Sequence, residues 1–187
     1  MPILGRETDL WPEDLLDHAG SLLENGSRWW AVYTRSRHEK RLMRHLVSLE
    51  VPFYCPIVER RYRSPGGRIR SSFVPLFTNY VFVLGDESSR HDAMTTNCVS
   101  RAIQVGDGEL LTRDLAAIHS LISVGAPVTP EARLESGMLV RVRSGPFAGR
   151  EGVVIQRRGE QRLLVSVNFL QQGASVNLDD CEVERIL

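Results

Sequence analysis

Apolar residues change their rhythm several times along the 187-residue chain, and each rhythm predicts a different element. Trp29 to Tyr33 (WWAVY) is rich in aromatic and β-branched residues and reads as a strand. After it, Leu42, Met43, Leu46, Val47 and Leu49 recur at helical spacing, while Arg37, Lys40, Arg41 and Arg44 share another face as a basic ridge. Ser36-Arg-His-Glu39 has the spacing of a capping box, so the helix is predicted to start there. It should end near Glu50, because Val51-Pro52 disfavours helix. FYCPIVERRYR and RSSF are extended runs flanking Ser64-Pro-Gly-Gly67, which reads as a hairpin tip studded with arginine. NYVFVL reads as a central strand with Val81 and Val83 on one face and Tyr80, Phe82 and Leu84 on the other. Alternation alone leaves open which face is core. A short helix over Asp86 to Asn97, a strand in VSRAIQV and a helix capped by Thr112, carrying Leu115, Ile118 and Ile122, complete this part.

In order, residues 29 to 105 spell β-α-β-β-α-β with an inserted hairpin. That order predicts an α+β fold: a split βαβ, ferredoxin-like sandwich with helices on one face of a mostly antiparallel sheet. Gly125-Ala-Pro-Val-Thr-Pro130 has the composition of a flexible linker. Five short β-like runs follow (MLVRVR, GVVIQR, LLVSVNF, ASVNL, EVERI), the pattern of a small SH3-like β-barrel of about 55 residues. The predicted boundaries are an N-terminal extension over 1–27, a first domain over 28–124, a linker over 125–133 and the barrel over 134–187. The barrel core is assigned to Val140, Val142, Val153, Val165 and Val167. The loop inside VRVRSGPFAGREGVVI is longer than a tight hairpin needs. Gly145 and Gly149 permit backbone angles closed to other residues, Pro146 stiffens the turn, and Phe147 can fold over the barrel mouth. Gly152 permits close strand approach.

Composition changes this picture little, whereas charge changes it a good deal. Net charge is zero, yet residues 1 to 27 carry six acids against Arg6 alone, and residues 28 to 75 carry Lys40 and ten arginines against three glutamates. Such a basic block attracts phosphate backbones or an acidic protein face. The acidic head, with Pro12 at a helix start and Trp11, Leu15 and Leu16 as an apolar stripe, reads as a solvated tail, a docking helix, or a segment folded back over the basic block. No apolar run reaches membrane-spanning length and the N-terminus is acidic, so a cytoplasmic monomer is expected. Cys55, Cys98 and Cys181 have no metal or thiol-disulfide spacing and are expected to be buried and reduced. The five histidines show no metal-binding spacing, and there is no phosphate-binding glycine loop or nucleophile elbow. Neither an enzyme nor a cofactor is expected.

V-R-V-x-x-G-P-F-A-G-R-E-G-V-V closely resembles the KOW motif of ribosomal proteins and of NusG-family elongation factors. RWWAVYTRSRHEKRLMRHL and LFTNYVFVLGD resemble the opening strand and helix and the hallmark strand of the NusG N-terminal (NGN) domain, so the resemblance covers about residues 28 to 187. It implies a transcription elongation factor that modulates pausing and termination. An aromatic patch packs on the β′ clamp helices of RNA polymerase, and on this chain the matching residues are Phe77, Tyr80 and Phe82 with Leu76. It also implies upstream or non-template DNA beside Arg37, Lys40, Arg41 and Arg44, with the arginine hairpin as a second set of phosphate contacts. For the barrel it implies a ribosomal small-subunit protein or the termination factor Rho as partner, contacted through Phe169, with Phe147 the other candidate. Asn79 in place of the usual Gly, together with the acidic head, leans toward a specialised, RfaH-like paralogue acting in antitermination. Thr78 in place of Pro departs from both branches, and the His-Thr-Thr stretch of the RfaH branch has no clear match beyond His91 and Thr95-Thr96. The barrel is too rich in Val and Gly to refold as helix. The competing reading is a ribosome-associated KOW protein that binds RNA without touching polymerase.

Overall fold

The computed structural model of the protein describes residues 6–133 and 137–186. The chain forms two compact units, Met1–Thr112 and Arg113–Leu187. The first contains β1 (Leu10–Trp11), α1 (Leu15–Glu24), β2 (Arg28–Thr34), α2 (Glu39–Ser48), β3 (Phe53–Tyr54), β4 (Ile57–Arg63), β5 (Ile69–Pro75), β6 (Tyr80–Gly85), α3 (Glu87–Thr95) and β7 (Val99–Gln104). A helix α4 (Gly108–Ser123) begins in this unit and runs on into the second. The sheet order is β1-β3-β6-β2-β7, with every pairing antiparallel, and β4 and β5 form a separate two-stranded ribbon. Apart from β1 this is the split βαβ arrangement, with β2 and β6 in the centre.

One face of the sheet carries Trp30, Val32, Val81 and Val83, packed with Leu42, Met43 and Leu46 of α2 and Ala93 of α3. The helix therefore buries the stripe that its sequence periodicity predicts, although its end escapes: Leu49 is exposed. The opposite face is also covered. Phe82 lies beside Ala31, and Leu84 beside Trp29, in register across β2 and β6, and all four are buried. A central strand buried on both sides reads as a continuous apolar run, which is why alternation could not choose a face.

The acidic head is part of the fold rather than an appendage. β1 pairs with the edge of β3, and the Asp9 carbonyl accepts the Cys55 N–H at 2.7 Å. Leu15 and Ala19 of α1 are buried, and Leu23 packs so near Gly108 that a Cβ added there would stand 3.0 Å from its Cδ2.

Two helix starts differ from expectation. Ser36 does not cap α2, which begins at Glu39 itself. The Glu39 carboxylate accepts the Asn79 N–H at 2.8 Å instead. Arg37 consequently precedes the helix, in left-handed backbone at φ 60°, and does not share its face. α4 is capped by Asp107, whose carboxylate accepts the Leu110 N–H. Thr112 lies one turn in, accepting the Trp29 indole N–H at 2.8 Å.

The second unit holds β8 (Thr129–Glu131), β9 (Met138–Val142), β10 (Glu151–Arg157), β11 (Glu160–Val167) and a short 3-10 turn at Asn168–Leu170. β12 (Gln172–Asn177) and β13 (Val183–Arg185) follow. They form one antiparallel sheet in the order β13-β9-β10-β11-β12-β8. Val140, Val142, Leu163, Val165, Val167, Ala174 and Val176 are buried and make its core. Val153 is only half-buried, because it pairs with Leu139 and Leu164 and so faces away from Val140. Part of the expected linker is folded: residues 129–131 are a strand on β12. Glu131 is held there by Ser175 Oγ at 2.6 Å and by the Arg157 guanidinium at 3.3 Å.

Candidate functional site

Of the four residues expected in the aromatic patch, three are interior. Leu76, Phe77 and Phe82 are at most 4% exposed, and the Phe77 and Phe82 rings meet edge to face at 6.4 Å. The expectation that Phe82 lies exposed beside Tyr80 is therefore corrected, for the strand is covered on both faces. Only Tyr80, at the start of β6, reaches the surface, half-buried.

The surface there is built from residues that sequence reasoning did not join. Tyr33 lies opposite Tyr80 on one side and Arg101 of β7 on the other. The two rings meet edge to face at 5.2 Å, and the Arg101 guanidinium sits 5.1 Å from the Tyr33 ring centre. Three strands thus present a row of cation, ring and ring, the composition that interface hot spots favour. The row is braced from below. Asn79 takes left-handed backbone at φ 66°, a conformation open to Asn and Gly, and is fixed by its N–H bond to the buried Glu39. Its carbonyl accepts the Thr34 N–H at 2.8 Å, and its amide nitrogen lies 3.4 Å from the Tyr33 hydroxyl. The signal that could have found this node is the single acid, Glu39, at the head of a basic helix.

The basic ridge is smaller than its sequence suggests. Lys40, Arg41 and Arg44 lie on α2, with Arg41 and Arg44 exposed and Lys40 half-buried. Arg44 is engaged, its guanidinium 2.8 Å from the Glu7 carboxylate of the acidic head.

In the second unit the Gly-Pro-Phe-Ala-Gly loop closes the end of the core. Phe147 is 3% exposed, a cap rather than a contact residue. Gly145 and Gly149 both have positive φ, at 90° and 83°. Pro146 lies between Gly145 and Phe147 in this turn, and the Gly149 N–H closes the loop on the Val142 carbonyl at 2.8 Å. A Cβ on Gly152 would stand 2.5 Å from the Leu164 carbonyl oxygen, which explains the glycine. Phe169, in the 3-10 turn, is 37% exposed.

Cys55 and Cys98 are buried and Cys181 partly so. Burial pushes the Cys55 thiol far up, so it stays protonated. Among the described residues no cluster of His, Cys, Asp or Glu could hold a metal ion, and no helix is long and apolar enough to cross a membrane.

A split βαβ sandwich followed by a small β unit with a Gly-Pro-Phe-Ala-Gly loop defines a two-unit protein of the NGN-plus-KOW class. The family described as "Transcription termination factor nusG" matches residues 27–118. The chain is 33% identical over 131 residues to the transcription termination/antitermination protein NusG of Yersinia pestis, covering 64% of this chain and 70% of that protein. It is 29% identical over 175 residues to NusG of Pseudomonas aeruginosa, covering 85% of this chain and 98% of the relative. A solved structure described as "Domain interaction in Thermotoga maritima NusG" is 22% identical, covers 87% of this chain and 99% of that one, and superposes with a TM-score of 0.45. The chain belongs to the NusG family, whose members are named for transcription termination and antitermination.

Proposed function

We propose that this protein is a specialised NusG-family elongation factor whose first unit binds the β′ clamp helices of RNA polymerase through Tyr80, Tyr33 and Arg101. Its net effect is antitermination. Phe77, Phe82 and Leu76 serve as the buried backing that fixes Tyr80. The observation that carries this reading is the Tyr80–Tyr33–Arg101 row itself, accessible across three adjacent strands whose other rings are buried. A preorganised ring loses little side-chain entropy on binding, which favours its use as an anchor. Arg41 and Arg44, with Lys40 and Arg37 beside them, steady the upstream or non-template DNA. The second unit recruits a ribosomal small-subunit protein or Rho through the exposed Phe169. The specialised assignment is supported by Asn79 in place of the usual Gly and by the folded head, which lies outside the matched residues 27–118.

The test is a pull-down of core RNA polymerase with wild type, Tyr80→Ala and Arg101→Ala. Phe82→Ala is unsuitable, since removing a buried ring costs about 3–5 kcal/mol and confounds binding with unfolding. Loss of at least tenfold in affinity for Tyr80→Ala is expected at a temperature where the variant remains folded, its melting lowered only by the loss of the Tyr33 ring contact. A Tyr80→Ala variant that binds as tightly as wild type refutes the contact. A wild type that ignores polymerase but retains ribosomal RNA favours the ribosome-directed reading.

A further inference from the structure

We infer that the β4–β5 ribbon is a second nucleic-acid-binding element, one that enters the major groove of duplex DNA. Residues 59–63 and 65–70 are exposed throughout, so the ribbon stands clear of the sheet beyond a half-buried base at Phe73, Val74 and Pro75. Register sorts its side chains onto two faces. Arg60, Tyr62 and Arg70 fall on one, and Arg61, Arg63 and Ile69 on the other. Both faces are therefore cationic, and each bears one exposed apolar group, with Tyr62 49% and Ile69 69% accessible.

The charge is uncompensated. Glu59 is the one acid between Ile57 and Pro75. It is already occupied by Arg61 at 3.2 Å, and hydrogen bonds from Ser71 and Arg61 hold its carboxyl below the ordinary range. Arg60, Arg63, Arg68 and Arg70 have no carboxylate partner among the described residues. No fold requirement explains four arginines there, since none packs in a core. An anionic partner does.

Dimensions favour a duplex. Five residues from Glu59 to Arg63 at about 3.3 Å each give an arm of roughly 17 Å, and a two-stranded ribbon fits the B-DNA major groove, which is about 12 Å wide. Arginines on both faces then meet phosphates on both groove walls, while Tyr62 and Ile69 contact base edges. A-form RNA has a major groove too narrow for this entry. This surface is independent of the polymerase contact and of the α2 ridge.

Fluorescence anisotropy with a labelled 20-base-pair DNA duplex tests the inference on the full chain. Four phosphate contacts give a log–log salt slope of about 3.6, so affinity attributable to the ribbon falls roughly 150-fold between 50 and 200 mM salt. Replacing Arg60, Arg63, Arg68 and Arg70 together by Ala should lower the slope by about 3 to 4 and weaken binding at least tenfold at 50 mM salt. Melting should be unaffected, because the residues are exposed. Tyr62→Ala should weaken duplex binding about threefold with the slope unchanged. A fourfold arginine variant with wild-type affinity and slope overturns the inference. So does an RNA duplex that binds as tightly as DNA, or ribbon-dependent binding confined to single strands, since neither fits groove entry.

Discussion

Replacing Glu39 by Ala tests how the first unit holds its candidate contact surface. The carboxylate is 6% exposed, and its Oε1 accepts the Asn79 N–H at 2.8 Å, anchoring the residue that precedes Tyr80 to the start of α2. Removing it leaves a part-buried N–H without a partner, at a cost of about 1–3 kcal/mol, with the upper half expected because the acceptor is ionic. For a unit of this size, about 2 kcal/mol corresponds to a melting shift of roughly 7–9 °C. Glu39→Gln keeps an acceptor oxygen and should lose less than about 1 kcal/mol. Trp11, Trp29 and Trp30 all lie in the first unit. Tryptophan fluorescence in urea therefore reports that unit alone, which matters because a two-unit chain has no single unfolding free energy. Polymerase affinity at a temperature where both variants are folded should fall several-fold for Ala and little for Gln, as Tyr80 loses its brace. Ala and Gln variants equal to wild type within about 0.5 kcal/mol would show that the bond orders nothing.

Two further outcomes follow from single contacts. Glu7→Gln removes the anion paired with Arg44 on the α2 ridge, while that surface ion pair contributes about 0–1 kcal/mol to stability. Duplex DNA affinity should rise about two- to fivefold at low salt, and the gain should vanish at high salt; unchanged affinity at every salt concentration would remove Arg44 from the DNA-contacting set. Gly152→Ala forces a Cβ against a backbone oxygen that cannot yield without parting β10 from β11. About 1–3 kcal/mol should be lost from a unit with a small core, and amide NMR should show second-unit signals collapsing while first-unit signals persist.

Sequence made most of the architecture legible, and its failures have specific causes. The β-α-β-β-α-β order, the arginine hairpin and five strands of the second unit follow from periodicity and turn residues. β1 was invisible because two residues carry no period, and its partner is supplied by the distant β3. The capping box at Ser36 was misread because Glu39 instead accepts the part-buried N–H of Asn79, forty residues away. The aromatic patch was half legible. Tyr80 and Phe82 share a strand face by alternation, but burial differs along that face, since the Phe77 ring packs on Phe82 while Tyr80, at the start of the strand, pairs its ring with the half-buried Tyr33. Arg101 was missed because its pairing with Tyr33 depends on β7 folding back against β2.

A chain with no net charge can still bind a polyanion if its charges are segregated and the segregation survives folding. Residues 28 to 75 carry eleven cations and three acids, a surplus of eight, and the acidic head folds onto the same unit. That head neutralises selectively. Glu7 takes Arg44, and Asp9 takes Arg6 within the head itself, whereas among the described residues the β4–β5 ribbon pairs with no acid except its own Glu59. The head therefore damps the α2 ridge and leaves the ribbon as the more exposed cationic element. Truncating the head would raise ridge affinity for DNA but also strip β3 of its edge partner, so Glu7→Gln, and not deletion, separates electrostatic damping from structural support.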